Sequence, residues 1–359
     1  MTVLFTPLKL GSTTISNRIG MSALTRNRSS NTVPNDVMLK YYVQRATGGA
    51  GLIVSEGILI SRQGTEWPAA PGIWNKAQTE GWKKITDAVH EAGSKIYAQL
   101  WHVGRTSHPE APEQIAAGSP VYAPSAVAAR GGSFRFLPGV PGYVEPTEIL
   151  DPTILIAEFK EAAINAKKAG FDGVELHGAS SYLVHQFLDS SSNQRADKWG
   201  GSPENRARFA LESLKALIEV WGADVALKIS PASGYNDVGM PLQDTIDTFG
   251  NLLREADKLG LAYVTLVRDS SDLDEEEGEN RAPSHDVVFT YSPFLTKTPI
   301  FVNSGVTPAE AEELVGSGQA AGVFIGMDWV AHPDLGSVSK QGNSSTMCPI
   351  LRPFLLFSI

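Results

Sequence analysis

Cysteine is almost missing from this 359-residue chain: Cys348 stands alone, which excludes an internal disulfide framework and fits a reducing compartment. No stretch approaches the apolar length of a membrane span. The opening residues, MTVLFTPLKLGS, lack the basic-then-apolar order of a signal peptide, so a soluble, cytoplasmic protein is expected. Basic residues are in deficit, with 30 Lys and Arg against 39 Asp and Glu and a net charge of −9. That balance argues against nucleic acid or an anionic membrane as the main partner and leaves a small-molecule substrate. His102, His177 and His185 lack the spacing of a His-Glu-x-x-His metal motif, so no metal is expected. No G-x-G-x-x-G follows the first strand, which removes the Rossmann reading. Two Asn-x-Ser triplets, at Asn27 and Asn343, are assigned no function.

What is present is a recurring β-rich run. Eight such runs are expected at Ile19–Thr25, Gly51–Gly57, Lys95–His102, Gly173–Ala179, Val225–Pro231, Ala262–Val267, Ile300–Gly305 and Gly322–Met327. Apolar blocks such as Leu52-Ile53-Val54 imply strands covered on both faces. Helical signals fall between them. Phe159, Ala162, Ala163 and Ala166 share a face, and Ser202-Pro203-Glu204 and Thr307-Pro308-Ala309-Glu310 read as helix starts. Eight strands alternating with helices predict a (β/α)8 TIM barrel. Leu4–Gly11 reads as an N-terminal β-hairpin on the barrel floor. A long loop after strand three, Thr106–Pro152, is expected over the catalytic face. A second loop, Ser270–Asp286, carries the acidic run Asp272–Glu277, read as solvated rather than metal-binding. The barrel domain is placed at residues 1–335. Residues 336–359 are expected to form an atypical tail, because Pro353 interrupts any helical register.

Catalytic groups of such barrels cluster at the C-terminal strand ends. Thr25-Arg26 close strand one; Gln99, Trp101 and His102 close strand three; His177, with Ser180 and Tyr182 beyond it, closes strand four. Strand five holds Lys228, strand seven ends at Asn303-Ser304-Gly305 and strand eight at Gly326. No Ser–His–Asp set is visible. Each residue also has a plain structural reading: a lone strand-end histidine is commonly a satisfied structural group, and Tyr182 could simply pack with its hydroxyl wet. Lys228 is harder to explain away, since a buried lysine needs an acceptor or a bound anion.

The segment His177-Gly178-Ala179-Ser180-Ser181-Tyr182-Leu183-Val184-His185-Gln186-Phe187-Leu188 is similar to the signature of the Old Yellow Enzyme family. So are Asn193–Asp197, Gly200-Gly201-Ser202 and Glu204–Phe209. Asn17-Arg18, Ala23-Leu24-Thr25-Arg26, Tyr41-Tyr42, Ser55-Glu56-Gly57, Ala70-Pro71-Gly72 and Gln99-Leu100-Trp101 also match, and the resemblance runs from about residue 4 to 335. It implies an FMN-dependent ene-reductase, a monomer or homodimer, drawing hydride from NADPH or NADH and reducing α,β-unsaturated carbonyl or nitro compounds. Carried over residue by residue, it implies that Thr25 bonds the flavin carbonyl at C4 and Gln99 the pyrimidine edge. Ala23, Leu24 and Gly57 join the cofactor site. His177 would bind the substrate oxygen with Ser180, Tyr182 would protonate the α-carbon, and Trp101 and Trp67 would shape the pocket.

Four positions depart from the pattern. Ser180 stands where the family has a longer His or Asn donor. Lys228 replaces an arginine beside the flavin, keeping the charge but losing the planar two-point contact. Gly326-Met327-Asp328-Trp329 replaces a Gly-Arg-aromatic motif, so the cation expected at the FMN phosphate is absent from position 327. Asn303, Ser304 and Gly305 remain as donors there. The tail is the fourth. Two alternatives therefore stay open: a family member deficient in cofactor or activity, and a barrel aldolase or isomerase using Lys228.

Overall fold

The computed structural model describes residues 2–65, 67–130, 142–269 and 281–340, without the side chains of 338–340. The acidic run Asp272–Glu277 and the tail beyond residue 340, with Asn343 and Cys348, lie outside the described residues, as do residues 131–141 of the long loop.

The chain opens with a hairpin, β1 (Leu8–Leu10) and β2 (Thr13–Ile15). Eight further strands form the barrel: β3 (Ile19–Met21), β4 (Leu52–Val54), β6 (Lys95–Trp101), β9 (Gly173–Gly178), β10 (Val225–Ile229), β11 (Tyr263–Val267), β12 (Ile300–Asn303) and β13 (Gly322–Ile325). Each pairs in parallel with the next, and β13 returns to pair with β3, Val323 opposite Ile19, which closes the ring. A two-residue strand, β5 (Ile58–Leu59), adds to the upper end of β6. Another short pair, β7 (Tyr122–Ala123) with β8 (Thr147–Glu148), lies in the loop after β6. The (β/α)8 barrel is therefore as expected.

The helices that wrap the ring begin where local chemistry starts them. α1 (Asp36–Thr47) follows Asn35, whose side chain accepts from the Met38 amide, and α2 (Lys76–Glu91) starts with a reciprocal Asn75–Gln78 capping box. α4 (Thr153–Lys168) buries Phe159, Ala162, Ala163 and Ala166. α6 (Pro203–Trp221) starts at Ser202, and a helix over Pro308–Gly316 starts at Thr307; both hydroxyls accept from the third helical amide. α5 (Leu183–Leu188) and α7 (Leu242–Asp257) complete the layer beside β9 and β10. A last helix, Leu335–Lys340, docks on the turn after α1, where the Ser337 amide donates to Gly48 O at 2.9 Å. No helix among the described residues is long and apolar enough to cross a membrane.

Two expectations need correction. The hairpin lies later than Leu4–Gly11: residues 3–5 form a 3-10 turn, and the reversal is at Gly11-Ser12. Gly11 has φ +54°, and a Cβ there would stand 2.5 Å from Asp224 Oδ1 and 2.6 Å from Ala223 O. The chain must turn at this glycine because it presses directly on the backbone leading into β10. Secondly, the barrel strands stop earlier than the apolar runs suggest. β3 ends at Met21 rather than Thr25, and β13 at Ile325 rather than Met327. Past β3 the Ser22 amide still donates to Ile325 O at 2.8 Å, but the Arg26 amide turns to the Glu56 side chain. Thr25 and Gly326 therefore sit on loops just past the strand ends, while Gln99, His177, Lys228 and Asn303 stay within the strands.

The hairpin stoppers the N-terminal end of the barrel. Leu10 and Ile15 pack with Tyr97, Ala226, Tyr263, Phe301 and Phe324, and Asp224 accepts from Ser12 N at 2.8 Å and Ser12 Oγ at 2.6 Å. Gly11→Ala should destabilise the protein by about 1–2 kcal/mol from the left-handed conformation alone, and more from the clash. Urea unfolding measures this, and unaltered stability would mean that the hairpin does not seat on the floor.

Candidate active site

At the opposite end, β9 and its following turn set the centre. His177 is buried, and its Nδ1 accepts the Ala179 amide at 3.3 Å. A neutral imidazole that accepts at Nδ1 carries its proton on Nε2. Burial holds the ring well below the ordinary histidine range, with Lys228 and His185 adding to the effect. His177 is thus a neutral Nε2–H donor. His102 differs: its Nδ1 accepts from Gly104 N at 3.0 Å and its Nε2 meets Gln63 Oε1 at 2.6 Å. It is a satisfied structural histidine, which burial holds at a pKa of about 3.

Aromatic rings enclose His177. Trp101 lies parallel to it at 6.3 Å between centroids, and Tyr182 stands edge-on at 5.1 Å from His177 and 4.9 Å from Trp101. Trp67 packs on the same cluster, with Leu59, Ala70 and Val103. Gly57 makes room for Trp101: a Cβ there would meet the indole at 2.6 Å. The turn that carries Tyr182 is strained, with φ +56° at Ser180 and +59° at Ser181. Gln186 clamps it, donating to Ser181 O at 2.8 Å and Val103 O at 3.0 Å. The Ser180 amide donates to Ser230 Oγ at 2.8 Å, and its carbonyl accepts from Asn236 at 3.0 Å.

A second group faces the barrel axis. Gln99 Nε2 donates to Glu175 Oε1 at 2.8 Å, and Thr265 Oγ1 donates to Glu175 Oε2 at 3.1 Å. Lys228, opposite His177 and two residues beyond the partner of Glu175 on the neighbouring strand, donates to Ser22 Oγ at 3.2 Å. Ser22 in turn donates to Asn303 Oδ1 at 3.1 Å, and Asn303 Nδ2 donates to Phe324 O at 2.8 Å. Burial raises the Glu175 pKa and lowers that of Lys228, while the attraction between them opposes both shifts. Thr25 is half-buried beside Ala23 and Leu24. Its segment is fixed from below by Glu56, whose Oε2 accepts the Arg26 amide at 3.1 Å.

At the mouth, Ser304 and Gly305 turn with φ +79° and +63°. Among the described residues, a Cβ on Gly305 would meet only Arg268 Nη2, at 3.7 Å, and one on Gly326 only Leu24 Cδ2, at 3.7 Å. The backbone of both loops therefore borders open space. Met327 is 49% exposed, and Asp328 is exposed at the start of the helix Asp328–Ala331.

All of the expected site residues fall at this one end. Ser22, Glu56, Glu175 and Arg268 are polar residues there that sequence reasoning misses. Glu175 could be found as an acid inside an apolar strand, which demands partners, and Arg268 as the residue directly after the sixth run. No group of three or more His, Cys, Asp or Glu among the described residues could hold a metal ion.

The profile of the NADH:flavin oxidoreductase / NADH oxidase family matches residues 3–345. A chanoclavine-I aldehyde reductase of Penicillium roqueforti is 44% identical over 269 residues, covering 74% of this chain and 70% of that protein. The 12-oxophytodienoate reductase 7 of rice is 35% identical, covering 92% and 86%. Among solved structures, the old yellow enzyme homologue of Zymomonas mobilis superposes with a TM-score of 0.85 at 32% identity, covering 94% of this chain and 92% of that one. The chain belongs to the NADH:flavin oxidoreductase / NADH oxidase family, with Old Yellow Enzyme structures as its neighbours. It is accordingly a flavin-dependent oxidoreductase, and the aldolase alternative falls away.

The residues fit a flavin. A planar ring with alternating donors and acceptors is matched by the remaining capacity of the Gln99 amide, the Thr25 hydroxyl and the buried Lys228 ammonium. The open backbone at Gly305 and Gly326 leaves room for a bulkier terminal group.

Two outcomes follow from the buried supports. Burial raises Glu56 from an ordinary 4.5 to about 7, against the hydrogen bonds from Arg26 and Tyr42. An acid with a raised folded-state pKa stabilises the fold least when ionised, so stability should fall as pH rises from 4.5 to 7 and then level. Glu56→Gln should abolish that fall and exceed the wild type above pH 7 by about 3 kcal/mol at most; parallel pH profiles of urea unfolding would contradict it. Ser181 combines φ +59° with a buried hydroxyl lacking any partner among the described residues. Ser181→Gly should therefore stabilise by about 1 kcal/mol, read as a higher melting temperature.

Proposed function

We propose that the chain is an FMN-dependent ene-reductase that takes hydride from NADPH or NADH and reduces the double bond of α,β-unsaturated carbonyl or nitro compounds. The observation that carries this reading is the neutral His177 Nε2–H donor with the Tyr182 phenol 5.1 Å away, ring to ring, and edge-on to the Trp101 indole. When bound, FMN supplies the hydride that arrives at the β-carbon.

The chain's own residues do the rest. His177 donates to the substrate oxygen and stabilises the negative charge that gathers there as the double bond is attacked. Its neutrality matters, because burial disfavours the protonated ring and so leaves it one fixed donor. Tyr182 delivers the proton to the α-carbon, completing addition of one hydride and one proton across the bond. Trp101 and Trp67 exclude water and orient the alkene. Ser180 offers only a short hydroxyl as a second donor, so His177 carries most of the polarisation. Thr25, Gln99 and Lys228 would hold the flavin ring, with Ala23, Leu24 and Gly57 against it. Glu175 orients the Gln99 amide. Asn303, Ser304, Gly305, Gly326 and Met327 would border its phosphate. The Asn303 side chain already serves Ser22 and Phe324 O, leaving one amide proton for that task.

Tyr182→Phe tests the assignment. In stopped-flow measurements it should slow the alkene half-reaction by about a hundredfold or more while flavin reduction by the nicotinamide proceeds at nearly the wild-type rate. Equal loss in both half-reactions would remove Tyr182 as the proton donor.

A further inference from the structure

We infer that Arg268 supplies the positive charge for the terminal phosphate of the flavin, a task that Met327 cannot perform; this rests on the FMN reading above. The argument begins with register. Val267 pairs with Asn303, and Asn303 with Phe324, across β11, β12 and β13. One and two residues further along each strand, Arg268, Ser304-Gly305 and Ile325-Gly326 leave the barrel side by side at one level of the mouth.

Arg268 is anchored there from both backbone and side chain. Its amide donates to Asn303 O at 3.0 Å, and its Nε donates to Ser304 O at 3.0 Å. The guanidinium is thereby laid along the Ser304-Gly305 turn. Among the described residues beyond its chain neighbours, Nη2 is the one heavy atom within 4 Å of a Cβ placed on Gly305. The space over that turn is therefore open, edged by a cation on the β11 side and by Leu24, over Gly326, on the β3 side. A phosphate needs this combination of close backbone approach and a fixed guanidinium fork.

Glu310 holds the terminal Nη1–Nη2 face of the fork. It pairs with Nη1 and Nη2, the latter at 3.2 Å, and the two side chains are 26% and 34% exposed. A partly exposed pair of this kind is weakened, because water and salt screen it. Five N–H donors are available on a guanidinium, of which Ser304 O and the Glu310 carboxylate take three. Among the described residues one N–H on Nη1 and one on Nη2 remain, on opposite edges of the guanidinium, and an incoming anion can take either without breaking these bonds. Glu310 both orients Arg268 and offsets part of its charge, so it tempers the attraction for a dianion.

The test compares two flavins that differ only in the phosphate. Apoprotein is titrated with FMN and with riboflavin, following quenching of flavin fluorescence, with melting of the apoprotein as a check on folding. Wild type should prefer FMN. Arg268→Gln should weaken FMN binding by about ten- to a hundredfold and leave riboflavin binding within about twofold. Arg268→Lys should retain part of the preference, and Glu310→Gln should increase it, since the competing carboxylate is gone while Arg268 stays. The Glu310 variant keeps the question answerable even if Arg268→Gln does not fold. Equal weakening of both flavins by Arg268→Gln, or an unaltered FMN-to-riboflavin ratio in the Arg268 and Glu310 variants, would overturn the inference while leaving the flavin site intact. Wild-type protein that binds neither flavin would overturn the flavin reading itself, and this inference with it.

Discussion

Lys228 is a cation taken out of water inside the barrel, and the cost of that burial organises the mouth around it. Its ammonium must keep acceptors, and it finds Ser22 on the loop after β3. The bond continues through Asn303 on β12 to the Phe324 carbonyl on β13. Three strands beyond β10 are thereby pinned at one height. Glu175 balances the charge from the adjacent strand and passes its orientation to Gln99. Remove the cation, and Ser22 loses a donor while Glu175 loses the charge that offsets its burial. Polar groups in a low-dielectric interior act as a unit in this way, because each is tolerable only when its neighbours complete it.

The fold was legible because its periodicity is repetitive. Eight apolar runs separated by helix-start signals leave few architectures, and Ser202 and Thr307 each mark a helix onset through one side-chain bond. Strand ends were less legible. Hydrophobicity persists through Ala23-Leu24, so the run continues in the sequence after the ladder has stopped at Met21. Pattern measures burial, while a strand end is set by where the next backbone partner is lost. The hairpin was displaced for a related reason: Pro7 suggests a turn, but Gly11 alone permits the reversal against Asp224.

The site shows the same division. His177, Tyr182, Gln99 and Trp101 could be named from a motif, yet nothing local distinguishes His177 from His102. The difference lies in Gln63 and Gly104, which saturate His102 from distant parts of the chain. Arg268 escaped because its significance depends on strand register. A lone arginine after an apolar run is unremarkable until β11 and β12 bring it beside Gly305. Missing charge at one position in the sequence is therefore weak evidence of missing charge in space.

The closing pair of the barrel also fixes an order of events during synthesis. Ile19 pairs with Val323, so the ring cannot form until almost the whole of it has left the ribosome, and contacts so distant in sequence form slowly. Thr25 and Gly326, which lie on opposite sides of that seam, are widely separated in the nascent chain. Intermediate lengths would expose the edges of β3 and of whichever strand was made last, inviting chaperone protection or misassembly. A flavin could thus be captured only by the finished ring, making cofactor uptake a late step that reports completion of the fold.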